Sequence, residues 1–140
     1  MRLRTLCTAT LLSAAVAVSG FASPAFAQTK PIDTSTKIRI TIVPLDAGIG
    51  SAHAILSATL TCDPAGGDHP YARESCLELA QASGDVAAVK PQPNAACLAV
   101  WIPVEISAVG TWRGLPVSFT DVESNVGCAR LSHGHIFDIV

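Results

Sequence analysis

Cysteines, histidines and one apolar run limit the chemistry open to this sequence. The cysteines are Cys7, Cys62, Cys76, Cys97 and Cys128. None forms a Cys-x-x-Cys pair, the spacing that a redox dithiol or a zinc knuckle requires. His133-Gly134-His135 could offer two imidazoles to a metal, but a metal site needs three or four converging ligands and no third stands nearby. His53 and His69 are remote in sequence, so all four histidines read as packed or solvated side chains. There is no Gly-x-Ser-x-Gly nucleophile elbow, and the acidic residues are scattered without a pair spaced for acid–base work. The sequence therefore displays no catalytic constellation, no metal site and no cofactor motif.

The informative stretch is Asn94 to Val104, NAACLAVWIPV. Periodicity alone makes it a buried strand. Three features argue against a regular central strand: Pro91 and Pro93 precede it, Pro103 interrupts it, and a bridged Cys97 would tie its start elsewhere. The second reading is an exposed, extended loop of apolar residues, stiffened at both ends. Exposed apolar sequence of that kind usually meets a partner.

Other elements must position that stretch. Arg2 and Arg4, the apolar run Leu6 to Val18 and the small-x-small Ala25-Phe26-Ala27 have the order of a secretory signal peptide, cleaved after Ala27. The competing reading is a membrane anchor, but the run is shorter than the roughly 20 residues a bilayer needs. Removing residues 1–27 leaves 113 residues with net charge −4 and four cysteines. An even number in a secreted, extracellular chain reads as two disulfides, with three possible pairings. An immunoglobulin reading of Cys62 and Cys128 fails, because Trp101 is too far from the first and Val126 stands where a Tyr should be. At 49% hydrophobic and 14% charged, the chain is too apolar for a disordered segment. With no basic run it also lacks the footprint of a nucleic-acid binder.

Gln28 to Lys37 reads as a loose arm, and residues 38–140 as one domain. Ile38, Ile40 and Ile42 alternate as a half-buried strand, followed by a turn over Pro44 to Ser51. His53 to Cys62 is the paired strand, with Ile55, Leu56, Thr59 and Leu60, and Asp63 to Pro70 is a loop. Tyr71 to Ala82 spaces Ala72, Cys76, Leu79 and Ala80 along one helical face, and Gly84 stops the helix. Lys90 to Asn94 is a Pro-rich loop. Val104–Val109 and Trp112–Thr120 are strands about a turn at Gly110, Gly127–Ser132 is a short helix, and His135–Val140 a last strand. The sum is an α+β fold with mostly antiparallel strands.

At this point the chain resembles a known family. Leu60 to Pro70 (LTCDPAGGDHP), a helix holding Cys76, Ser83 to Val89 (SGDVAAV), Cys97 followed by Pro103, Val104 to Phe119 (VEISAVGTWRGLPVSF) and Cys128 are similar to the Streptomyces-type subtilisin inhibitors. The resemblance covers roughly Ile38 to Val140. It implies a five-stranded antiparallel sheet with two helices, disulfides Cys62–Cys76 and Cys97–Cys128, and a homodimer joined through its sheets.

The resemblance also implies a reactive site for extracellular serine proteases. Ala99 would be the primary specificity residue and Val100 the first residue on the leaving side, with Cys97, Leu98, Trp101 and Ile102 completing the contact strip. A methyl group at Ala99 suits the pockets of subtilisin-like and elastase-like enzymes and offers no cation to a trypsin-type pocket. The chain departs from the family pattern at Leu98, often Pro in relatives, at Ile102, commonly Asp, and around Cys128. Two other classes stand beside this reading. One is a secreted dimeric module that keeps the fold with weak or lost inhibition; the other is a small secreted enzyme or metal protein using His133 and His135.

Overall fold

β-Branched residues at period two build a strand with one buried face. In the computed structural model, which describes residues 34–45 and 54–140, Ile38, Ile40 and Ile42 form the buried face of β1, Thr36–Pro44. Strands β2 (Leu56–Cys62), β3 (Gly66–Gly67), β4 (Val104–Trp112) and β5 (Leu115–Glu123) complete one antiparallel sheet in the order β3-β2-β1-β4-β5. Register sets Ile40 between Ala58 and Ala108, and Ile42 between Leu56 and Ile106. The inner face is thus one apolar layer. Leu79 of α1 (Ala72–Gln81), Ala129 of α2 (Val126–Ser132), Ile136 and Phe137 close the core against it. Both helices are tied down by disulfides, Cys62–Cys76 from the end of β2 to α1 and Cys97–Cys128 from the 90–103 segment to α2. The expected five strands, two helices and two pairings are all present.

Several boundaries differ from the sequence reading. Thr36 and Lys37, expected in the arm, open β1, and the 63–70 loop contains the two-residue β3. Gly110 is not the turn: it lies inside β4 opposite Ile38 and Val117, and the chain reverses at Arg113-Gly114. A glycine is needed at position 110 because an added Cβ would stand 2.1 Å from the Lys37 carbonyl oxygen. In α1, Ser75 and Leu79 are buried and Ala80 is exposed, so the inner stripe runs 72, 75, 76, 79. Ile55, expected in the paired strand, lies just before β2 and is exposed. His135–Val140 is not a strand. Neighbouring Ile136 and Phe137 are both fully buried, which alternation on a sheet forbids, and backbone bonds from Ile136 to His133 and Asp138 to His135 make tight turns. The signal segment 1–27, the arm up to residue 33, the turn over 46–51 and His53 lie outside the described residues.

His69 ties the β3–α1 connection to this C-terminal segment. Its Nδ1 accepts the Tyr71 N–H at 3.1 Å, so its Nε2–H donates to the Ile136 carbonyl at 3.0 Å. The Tyr71 bond requires an unprotonated Nδ1 and so the neutral ring, and burial pushes the His69 pKa below its ordinary value of 6.5, outweighing the Ile136 carbonyl, which favours the charged form. Burial lowers His133 in the same way. An unfolded chain then binds protons that the folded one refuses, so stability falls as pH drops below about 6.5. Urea midpoints should decrease from pH 7.5 to pH 5.5, and His69→Gln should flatten part of that slope. A midpoint that rises over this window would contradict the assignment.

Candidate functional site

The Asn94–Val104 segment is not a buried strand. Residues 93–102 are exposed, Leu98 by 79% and Trp101 by 72%, and β4 begins only at Val104. An apolar run has no period that tells core from presented loop; the prolines and the cysteine carry that information. Pro103 and Val104 are buried and root the loop in the sheet. Ala99, Val100, Trp101 and Ile102 lie together on this outward stretch with Cys97 and Leu98.

Exposure of so much apolar surface is matched by unusual bracing of the main chain. Cys97 is bridged to Cys128 in α2. The Val100 N–H donates to the Leu98 carbonyl at 2.9 Å, closing a tight turn around Ala99. On the far side, the Ile102 N–H donates to the Ser124 carbonyl at 2.8 Å, and the Leu45 N–H to the Pro103 carbonyl at 2.9 Å. Because Val104 pairs with Glu123, the Ile102 bond carries the β4–β5 pairing outward to the loop's base.

Asn125 is the residue that sequence reasoning missed. Its Oδ1 accepts the Cys128 N–H at 3.0 Å and caps α2, as Asn does at a helix start. That bond fixes which way the amide points. Its Nδ2 then donates to the Leu98 carbonyl at 3.0 Å and the Val100 carbonyl at 2.8 Å. One amide therefore holds the main chain on both sides of Ala99. An Asn just before a short helix signals a cap, but nothing local reveals carbonyls 25 and 27 residues away.

The histidine pair does not converge. His133 packs its ring against Phe119 and Phe137, whereas His135 Nδ1 meets Glu78 Oε1 at 2.7 Å. Among the described residues no three His, Cys, Asp or Glu side chains group as a metal site.

A disulfide-anchored apolar loop, held open at the end of a five-stranded sheet, has counterparts among known proteins. The subtilisin inhibitor-like family matches residues 35–125, which include the whole loop and Asn125. The chain belongs to the subtilisin inhibitor-like family. A subtilisin inhibitor of Streptomyces violaceus is 42% identical over 77 residues, covering 54% of this chain and 53% of that protein, so the chain spans about half of that relative's length. A subtilase-type protease inhibitor of Streptomyces coelicolor is 32% identical over 123 residues, covering 84% of this chain and 81% of the relative. Among solved structures, Streptomyces caespitosus sermetstatin in complex with Bacillus licheniformis subtilisin is 27% identical with a TM-score of 0.51, covering 70% of this chain and 90% of that one. The main-chain braces around Ala99 lie within the region that this family matches.

Proposed function

We propose that this chain inhibits subtilisin-like serine proteases by presenting Ala99–Val100 as a bond that is bound tightly and cut slowly. The observation that carries the reading is the Asn125 amide, which grips the Leu98 and Val100 carbonyls across that bond. Residues 97–102 add as a strand to the protease cleft, main chain supplying affinity and side chains selection. Little loop entropy is lost on binding, because the disulfide and the Ile102–Ser124 bond have already ordered the strip. When the protease serine attacks the Ala99 carbonyl, the Ala99–Val100 bond breaks and an acyl-enzyme forms. The Val100 amine stays beside it, tethered through Asn125 and through Ile102, and its high effective concentration favours resealing over hydrolysis. Leu98 lacks the covalent stiffness of a proline, and the Asn125 bond to its carbonyl holds that side in place. Inhibition therefore survives the Leu98 and Ile102 departures, and a module that has lost it is the disfavoured reading.

Ala99 selects the target. A methyl group enters small or permissive apolar pockets, which extends the reading to elastase-like enzymes. Inhibition of subtilisin should exceed that of trypsin by at least about 100-fold, because a buried carboxylate left unpaired in the trypsin pocket costs several kcal/mol. Titrating both enzymes with purified protein tests this; equal or stronger trypsin inhibition would show that Ala99 is not the pocket residue. The same reading makes the chain a secreted protein with residues 1–27 removed and residues 38–140 as the inhibitory domain. Among the described residues no helix is long and apolar enough to cross a membrane. A homodimer joined through the sheets belongs to the reading as well, supported by exposed Val109 on the strand face turned away from the core.

A further inference from the structure

The approach to the loop runs through Pro91-Gln92-Pro93. Proline lacks an N–H and fixes its own φ, so Gln92 is the one main-chain donor of this tripeptide. It is half-buried, and its N–H donates to the Leu131 carbonyl at 2.9 Å. Its side-chain Nε2 donates to the Arg130 carbonyl at 3.1 Å and to the Gly134 carbonyl at 3.0 Å.

The Arg130 and Leu131 carbonyls are among those that the end of α2 leaves without partners of its own, and Gly134 lies just beyond that end. Helix α2 has seven residues, too few to stand alone, so its last turn depends on such outside donors. The point of attachment is itself fixed, since Arg130 Nε meets Asp138 Oδ1 at 2.6 Å and Asp138 is buried. Helix α2 thus holds the loop from both of its ends. Asn125 and Cys128 grip residues 97–100 from its start, and Gln92 grips the approach from its finish.

We infer that Gln92 is a positioning residue for the reactive loop, keeping the acyl-side half of the cut bond in register for resealing. The inference rests on Ala99–Val100 being the reactive bond. Gln92 lies outside the contact strip 97–102 and spends its amide on carbonyls of its own domain, so its effect is on the fate of the bound loop rather than on first encounter.

The experiment compares the full chain with Gln92→Met, which keeps the volume without donors, and Gln92→Lys, which restores donors to the same carbonyls. Each is incubated with subtilisin, and hydrolysis at Ala99–Val100 is followed by mass spectrometry beside the initial inhibition constant and the melting temperature. Loss of two hydrogen bonds predicts clipping about tenfold faster in Gln92→Met and within about threefold of the unmodified chain in Gln92→Lys, with initial inhibition nearly unchanged in both. Equal clipping in Gln92→Met and the unmodified chain, equal acceleration in both variants, or a Gln92→Met chain that does not fold would overturn the inference. Absence of inhibition or of a nick at Ala99–Val100 in the unmodified chain would instead overturn the choice of reactive bond.

Discussion

Ala99→Lys should convert the chain into a trypsin inhibitor, with affinity for trypsin rising at least about 100-fold, the scale of pairing a desolvated carboxylate with a cation. The position is exposed, its neighbours are held by their main chain rather than their side chains, and no packed group must move to receive a longer residue. The folded state should therefore be unchanged, and melting temperature should stay within about 2 °C, as surface substitutions usually leave it. Subtilisin should still be inhibited, weakened by no more than about tenfold, because the added strand and not the pocket supplies most of the affinity. Inhibition constants against both enzymes measure this directly. A Lys variant that leaves trypsin untouched would mean that another residue occupies the pocket.

Removing the second bridge should have the largest effect on the fate of the complex. The Cys97–Cys128 bridge spans 31 positions, and loop-closure entropy assigns it about 4 kcal/mol of stability. A Cys97→Ser, Cys128→Ser double variant should melt well below the unmodified chain while Cys62–Cys76 keeps β2 and α1 together. Its more telling change is kinetic. Residue 97 lies two positions before Ala99, so without the bridge the acyl half is held near Asn125 by hydrogen bonds alone. The new amine then competes poorly with water, and inhibition should be temporary: subtilisin activity returns as clipped protein accumulates. Permanent inhibition by a folded double variant would show that the bridge does not govern resealing.

How much of this was legible in the sequence follows from how local each signal is. The isoleucine alternation at 38, 40 and 42 and the helix around Cys76 rest on contacts between near neighbours, and both elements appear where the pattern places them. Gly110 misled because glycine marks both turns and close approaches; only the pairing of β4 with β1 shows that the Lys37 carbonyl excludes a side chain. The final segment misled for a related reason. Ile136 and Phe137 fit a strand by composition, but the turn at Gly134 and the Glu78 carboxylate, which accepts the His135 N–H at 2.7 Å, fold them into the core. At the loop, the prolines and Cys97 argued for an exposed stretch and the family resemblance named the strip within it, whereas its braces come from Asn125, Ser124 and Gln92. Those contacts join segments tens of residues apart, and no local window contains them.

The central claim is that one bond, held from both sides, is offered to the protease and largely returned intact. Incubating the purified chain with subtilisin and weighing it before and after reduction tests this most directly. The account predicts stoichiometric inhibition and a single slow nick between Ala99 and Val100, adding one water to the mass. The two pieces should part only on reduction, because Cys97 remains bridged to Cys128 across the cut. A first cut at any other bond, or rapid digestion of the chain at several sites, would contradict it.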